Sequence, residues 1–192
     1  MERQKLTKAV TSGQGDSGDT DVIFLSGINQ KHQGVEVEAS AQLIDMISLD
    51  AVVSAGKWQF DGDADGNYQE DEFNDEGQVI GQMTTPYSYA LDGLFVGDMP
   101  QTAFALGTTL TPIKGLKLQA LFNWYDNNYA DWSPDSREYD GSDEGADREQ
   151  VWMAPSYSKV DLHATYALPE IAGVHRTVFA HVFNALDAVY VQ

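Results

Sequence analysis

The chain has 192 residues, of which 42% are hydrophobic, so it is long and apolar enough to fold rather than remain disordered. Its 30 acidic residues outnumber its 11 basic ones and give a formal net charge of −19, which would repel a phosphate backbone and argues against nucleic acid as a partner. The absence of cysteine from the sequence excludes disulfides, thiolate catalysis and cysteine-bound zinc.

The first elements along the chain are predicted to be strands. No apolar run approaches the roughly 18 residues that a membrane-spanning helix needs, whereas a membrane-spanning strand needs only about 10, half of them polar. A weak strand is predicted at Lys5 to Thr11. After it, Val35 to Leu43 has an apolar residue at every odd position, and Ile47 to Phe60 continues the alternation after a short connection. This period of two predicts a tight hairpin.

Two further hairpins are predicted by the same alternation and by the Pro and Gly residues between their strands. The second hairpin pairs Thr102 to Thr111 with Leu116 to Tyr125. The third pairs Val160 to Tyr166 with Thr177 to Asn184.

The connections between the hairpins, residues 61–100 and 126–155, are long, polar and acidic, and they are predicted as loops. Short turns at one end of every hairpin and long loops at the other are typical of outer-membrane barrels, whose turns are periplasmic and whose loops are extracellular. The sequence therefore predicts an all-β fold. We expect an antiparallel transmembrane β-barrel, present as about seven strands of a larger barrel, with short periplasmic turns and long acidic extracellular loops.

A soluble alternative stays open at this point, because the same alternation describes one sheet of a secreted β-sandwich, such as a carbohydrate-binding module with a calcium-stabilised loop. Two observations favour the barrel. No apolar core face is dense enough for so long a chain, and the polar faces suit a wet lumen. Aromatic residues near the loop ends of the strands are interpreted as an interfacial girdle: Trp58, Phe60, Trp124, Tyr125, Tyr129, Trp132 and Trp152.

Four segments carry a resemblance to a known family. The run from His32 to Ala39, "HQGVEVEA", within Thr20 to Leu43, resembles a strand of TonB-dependent outer-membrane receptors. Val96 to Ala103 is similar to the segment where a late loop of these receptors re-enters the barrel. Tyr157 to Tyr166, "YSKVDLHATY", and Val178 to Tyr190, "VFAHVFNALDAVY", are similar to their penultimate hairpin.

The resemblance implies a domain assignment and a function. Residues 1–192 would be the C-terminal part of the receptor barrel domain, and we expect a fragment that lacks the N-terminus, the plug domain and the closing strand. The parent receptor would lie in the outer membrane of a Gram-negative cell, in contact with its lipid. It would take up a small-molecule ligand of the siderophore (iron uptake), cobalamin or glycan type, using energy delivered to the plug by the TonB–ExbB–ExbD system.

A candidate calcium loop follows the first hairpin. Residues 61–72 match the pattern D-x-[DN]-x-[DN]-G-x5-E at every defined position, and carboxylates so spaced can converge on one hard cation. The candidate Ca²⁺ ligands are Asp61, Asp63, Asp65, Asn67 and Glu72. The preceding segment reads as a strand and not as an entering helix, so the site would not be an EF-hand. A solvated acidic loop tip is the alternative reading.

The second acidic stretch, Asp131 to Glu149, is explained by solvation or, alternatively, by a gating loop that binds a cationic or metal-bearing ligand with help from Tyr139 and Trp152. The four histidines show no i, i+4 pairing, so histidine metal ligation is not predicted. No Ser lies in a G-x-S-x-G elbow and no His is tied to one by spacing, so the sequence predicts no enzyme.

Overall fold

The structure is a computed structural model that describes residues 2–14, 20–142 and 144–191. It is an all-β fold, as predicted, with antiparallel strands and one short helix in the described residues. The strands are β1 Glu2–Gln14, β2 Thr20–Ile44, β3 Ile47–Phe60, β4 Ala64–Phe73, β5 Val79–Tyr89, β6 Pro100–Ile113, β7 Leu116–Tyr129, β8 Glu138–Tyr139, β9 Met153–Ala154, β10 Tyr157–Ile171 and β11 Val174–Val182, and helix α1 is Pro134–Arg137. No helix among these residues is long and apolar enough to cross a membrane.

The three predicted hairpins are confirmed as β2–β3, β6–β7 and β10–β11. Two-residue turns join their strands, and the turns of the second and third hairpins contain Gly115 (φ +88°) and Gly173 (φ +77°). Backbone with positive φ suits a tight hairpin because its twist matches that of the strands, and glycine adopts it without steric cost. The weak strand predicted at Lys5 to Thr11 is also confirmed, as the longer β1.

The prediction of about seven strands is wrong, because eleven strands lie in the described residues. The predicted loop at 61–100 contains the hairpin β4–β5. Its turn is held by Asn74, whose side-chain oxygen accepts hydrogen bonds from the backbone N–H groups of Glu76 (3.0 Å) and Gln78 (2.9 Å). The strand sequence "ADGNYQEDEF" is polar on both faces, so it lacks the alternation on which the prediction depended.

The chain divides into two units, which we call unit 1 (residues 1–33, 57–97 and 129–152) and unit 2 (residues 34–56, 98–128 and 153–192). Unit 1 holds a hydrophobic core, which the sequence did not predict. Leu91 and Leu94 are fully buried there, and the rings of Tyr89 and Trp132 lie 5.4 Å apart. Burial, reinforced by the neighbouring Glu138 carboxylate, raises the pKa of Tyr89 to about 12.

Unit 2 is an antiparallel sheet formed by the second half of β2, most of β3, and β6, β7, β10 and β11 in that order. Each strand runs against its neighbour, so the three tight turns lie at the same end of this sheet. Two backbone hydrogen bonds link a turn to the neighbouring strand: Thr111 N–H of β6 donates to Met46 O and Ala167 N–H of β10 donates to Gly115 O, both at 2.8 Å. Among the described residues β11 pairs only with β10, and the sheet is not closed.

Candidate functional site

The unit 2 sheet has two chemically distinct faces. The ladder places Ala51 opposite Leu106, Leu106 opposite Phe122, and Phe122 opposite Val160, so these four residues share a face. The apolar face consists of the odd-numbered residues of β2 and β3 in unit 2 and the even-numbered residues of β6, β7, β10 and β11. The remaining residues of these strands form the polar face.

The apolar face of unit 2 is exposed. Val35, Leu162 and Val182 keep 63%, 42% and 53% of their surface accessible, although all three are large aliphatic residues that a soluble fold would normally bury. Among the described residues of unit 2, Ala154 is the one buried apolar residue. The sheet is therefore a single layer with no hydrophobic core of its own.

The polar face carries charged and hydrogen-bonding groups from neighbouring strands. Ser40 Oγ donates to Asp50 Oδ1 at 2.7 Å across β2 and β3, which fixes the even-numbered residues of β2 on this face. On β10, Asp161 lies 3.3 Å from the Lys159 ammonium and accepts the Asn184 N–H at 2.8 Å. A buried carboxylate needs such partners. The polar groups of this face thus pair with one another across and along the strands.

The predicted aromatic girdle divides between different environments. Phe60 and Trp132 are buried in the core of unit 1, and Tyr129 stacks on Phe95 with ring centroids 4.3 Å apart. Trp124 lies on the apolar face of unit 2, whereas Tyr125, on the polar face, packs against Tyr157. The girdle interpretation is therefore wrong for the residues that form the core.

The five candidate calcium ligands are not brought together. Asp61 and Asp63 precede β4, whereas Asp65, Asn67 and Glu72 lie within it. Side chains alternate along a strand, so Glu72 points away from the face of Asp65 and lies about 23 Å further along the chain. Among the described residues, no group of three or more His, Asp or Glu side chains could hold a metal ion. Calcium binding by this segment stays a prediction.

We expect any Ca²⁺ uptake by residues 61–72 to be no tighter than about millimolar, because the candidate ligands are spread along an extended strand instead of a looped cage. Titration calorimetry of Ca²⁺ into the full chain measures this. A submicromolar site that is lost in Asp65→Asn would contradict the extended arrangement.

Asp63 has a different role, since it is the centre of a hydrogen-bonded cluster within unit 1. Arg148 donates two parallel hydrogen bonds to its carboxylate, from Nη1 at 3.0 Å and Nη2 at 2.9 Å. The Tyr139 hydroxyl donates at 2.8 Å, and the backbone N–H groups of Leu91 and Asp92 donate at 2.9 Å each. We call these five residues the Asp63 cluster. One carboxylate thus accepts five hydrogen bonds from two distant segments of the chain.

Contacts within the Asp63 cluster shift the pKa values of Asp63 and Tyr139 in opposite directions. The Arg148 guanidinium holds the pKa of Asp63 well below its usual range, and the Asp92 N–H and Tyr139 hydroxyl act in the same direction against partial burial. The hydrogen bond to Asp63 in turn raises the pKa of Tyr139. The Arg148 guanidinium also lies 5.8 Å from the centre of the Tyr139 ring, in cation–π range.

The two arginines of the acidic stretch 131–149, which belongs to unit 1, hold it by different contacts: Arg148 binds outside the stretch and Arg137 binds within it. Arg148 binds Asp63, and Arg137, which is only 6% exposed, donates to the backbone oxygen of Asp147 at 2.8 Å and forms an ion pair with its carboxylate at 3.1 Å. The Arg137 backbone oxygen accepts the Ala90 N–H. Asp143 lies outside the described residues. Solvation alone therefore does not describe this stretch, because its basic residues anchor it.

A pair of histidines was missed by the sequence prediction. His163 on β10 and His181 on β11 face each other on the polar face, with their Nδ1 atoms 2.6 Å apart. Helical spacing was the wrong pattern to search for, because two histidines can also meet across a hairpin. The signal in the sequence is one histidine on each strand of a predicted hairpin.

Comparison with known proteins adds no family assignment: no protein-family model, no curated protein and no solved structure matches this chain.

Proposed function

We propose that this chain forms part of the wall of an outer-membrane β-barrel in a Gram-negative cell, with the strands of unit 2 crossing the lipid. The observation that carries the proposal is the exposed apolar face of a single-layer sheet. In water such a face has no favourable environment, whereas lipid tails supply one. The polar face would then line the interior of the barrel, where charged residues are tolerated.

The length of the apolar face supports this proposal. On β7 the face runs from Leu116 to Trp124, which is nine residues. A membrane-spanning strand is tilted by about 45° and needs about 9–11 residues to cross the hydrocarbon layer. The strands of unit 2 are thus long enough to cross the hydrocarbon layer of an outer membrane.

Two aromatic residues on the apolar face support the proposal that these strands cross the membrane. Tyr166 lies on the apolar face near the tight turns, opposite Leu116. Trp124 lies on the same face at the far end of the strand, opposite Phe104. Amphipathic rings favour the two lipid–water interfaces, so this placement is typical of a strand that spans a bilayer.

Within this class we propose a transport receptor similar to the TonB-dependent family. Two of the four similar segments lie wholly on strands, His32 to Ala39 on β2 and Tyr157 to Tyr166 on β10. The other two, Val96 to Ala103 and Val178 to Tyr190, lie partly on β6 and β11. The receptor would take up a small ligand of the siderophore, cobalamin or glycan type, driven by the TonB–ExbB–ExbD system. No enzymatic step forms part of this proposal.

A secreted β-sandwich would account less well for the exposed face. A sandwich places a second sheet about 10 Å from the first and buries the facing side chains. In unit 2, Val37 and Val178 remain 59% and 54% exposed. The open apolar face therefore favours the membrane over the binding module.

Detergent dependence tests the proposal directly. We expect the chain to sediment as aggregate in plain buffer, and to give a β-rich far-ultraviolet circular dichroism spectrum when refolded in detergent or lipid vesicles. The physical reason is that the apolar face must be covered before the strands of unit 2 are stable.

The same experiment distinguishes the membrane barrel from the secreted β-sandwich. A soluble, monomeric chain that unfolds cooperatively in plain buffer would overturn the membrane proposal and favour the binding module. Flotation of the refolded chain with vesicles serves as the second readout, because aggregates sediment whereas inserted chains float.

A further inference from the structure

His163 and His181 form a close pair on the polar face of unit 2. They lie directly opposite each other in the β10–β11 ladder, with their Nδ1 atoms 2.6 Å apart and their ring centroids 4.8 Å apart. At this distance one ring donates its Nδ1–H and the other accepts it, so a single proton is shared between two lone pairs. Two imidazole nitrogens that converge on one point are also the geometry of a chelate.

A β-bulge creates this pair. Ile171 and Val174 face each other next to the turn, and a regular ladder counted from them would place His163 opposite Val182. The register shifts between Leu168 and Ile171, so that β10 contains one residue more than β11 over this stretch. The shift moves His163 opposite His181. Bulges redirect side chains in this way and are common near functional sites.

The surroundings of the pair restrict what it can bind. Phe183 contacts both imidazole rings, with centroids 5.7 Å from His163 and 6.1 Å from His181. Phe179 lies 5.4 Å from His181. Gln119 is opposite His163 on β7. These neighbours are uncharged, and the aromatic rings lie beside the imidazoles.

The charged residues nearby do not complete a larger site. Asp161 lies two residues from His163, but Lys159 and the Asn184 N–H already occupy its carboxylate. Lys117 lies two pairs beyond Gln119 on β7, opposite Thr165. The pair therefore offers two nitrogen ligands, and the remaining coordination positions would be filled by water.

We propose that His163 and His181 together bind one divalent transition metal ion of the class that prefers imidazole, such as Zn²⁺, Cu²⁺ or Ni²⁺. Neutral imidazole suits these ions, whereas Ca²⁺ and Mg²⁺ prefer oxygen. On binding, the metal takes one lone pair from each Nδ1, and the proton of the donor ring moves through solvent to the Nε2 of that same ring, so both imidazoles stay neutral. The proposal depends only on the pairing of β10 with β11 and stands apart from the membrane assignment.

The two Nδ1 atoms can bind one metal ion after a small change in their separation. Two metal–nitrogen bonds of about 2.0–2.1 Å at a near-tetrahedral angle place the nitrogens about 3.3 Å apart. The observed 2.6 Å separation must widen by a fraction of an ångström. The His181 side chain is exposed, so a change of side-chain torsion supplies this without moving the strands.

The test is titration of Zn²⁺ and Cu²⁺ into the refolded full chain, with His163→Gln, His181→Gln and His175→Gln compared. His175 is the matched control because it lies on the same hairpin, with 83% of its side chain exposed. We expect one ion per chain, at least about tenfold weaker binding in the first two variants, and unchanged binding in the control. Far-ultraviolet circular dichroism verifies that each variant keeps its strands.

Electron paramagnetic resonance of the Cu²⁺-loaded chain provides a readout that does not depend on the variants. Coupling to two imidazole nitrogens supports the proposal. Equal binding by all four chains, binding lost only in His175→Gln, or a Cu²⁺ spectrum without two nitrogen ligands would overturn it. Because protons compete with the metal for both rings, binding should also weaken as the pH is lowered.

Discussion

Replacing Ala120 with Arg should prevent the chain from inserting into lipid bilayers, whereas Gln119→Arg should leave insertion intact. Ala120 is midway along the apolar face of β7, opposite Leu162. An arginine at the midplane of a barrel wall costs about 2–4 kcal/mol, which corresponds to roughly 30-fold or more in partitioning. Vesicle flotation and the β-rich dichroism signal, measured at several lipid concentrations, quantify the loss.

Gln119→Arg is the matched control, because the two residues are adjacent on one strand and differ in the face they occupy. Gln119 lies on the polar face, opposite His163 and Thr109. An arginine there would extend into a wet interior at little cost. If both variants insert equally well, the apolar face does not contact lipid. If both fail equally, the effect comes from strand β7 itself and not from the face.

The hairpins could be predicted from the sequence because two local signals coincide in them. In β2 from Val35 to Leu43 and in β3 from Ile47 to Ala55 every second residue is apolar, and the turn between the two strands is short, so the alternation and the turn together predict both strands. On β7 the same alternation runs from Leu116 to Trp124. The local sequence pattern is sufficient to predict a strand wherever one face of that strand is apolar.

The core of unit 1 could not be predicted in this way. Its buried residues Phe60, Leu91, Leu94 and Trp132 come from the end of one strand and from connections without regular period. Phe60 and Trp132 stand between polar neighbours, and Leu91 and Leu94 lie in a short apolar stretch that Asp92 and Gly93 interrupt. The core forms because segments that are distant in sequence pack together, and a period of two gives no information about such tertiary contacts.

The contacts of Asp63 and the exact pairing of the two histidines could not be predicted from the sequence, for related reasons. Asp63 and Arg148 are 85 residues apart, and an isolated Asp in an acidic segment gives no sign of its partner. The histidines meet only because of one bulge, and a one-residue change of register moves a side chain to the opposite face. A contact between distant residues therefore forms the Asp63 cluster, and a single bulge forms the histidine pair.

Asp63→Ala should lower the free energy of unfolding of the chain by about 2–4 kcal/mol, because it removes the acceptor of five hydrogen bonds, two of them from an arginine. The Asp63 side chain is 23% exposed and that of Arg148 is 36% exposed, so solvent screening places the expected value in the lower half of this range. The measurement is denaturant unfolding of the refolded chain, followed by tryptophan fluorescence.

Asp65→Ala is the control, since Asp65 is an exposed acidic residue two positions away whose carboxylate accepts one hydrogen bond from Ser88 at 2.8 Å. We expect a change within about 0.5–1 kcal/mol. Equal effects of the two substitutions would mean that the loss of negative charge in this acidic segment matters, and not the specific contacts of Asp63.

The pH dependence of the unfolding free energy tests whether the ionised form of the Asp63 carboxylate is the one that stabilises unit 1. The folded-state pKa of Asp63 is depressed below the unfolded value of about 3.9, so the stability it contributes is fully present above about pH 5 and is lost as the pH falls through that unfolded value toward the folded one. The stability difference between the parent chain and Asp63→Ala should therefore be constant from pH 5 to 7 and shrink below pH 4. A difference that stays constant down to pH 2 would show that the carboxylate acts by packing alone, because a protonated Asp63 would then stabilise unit 1 as well as an ionised one.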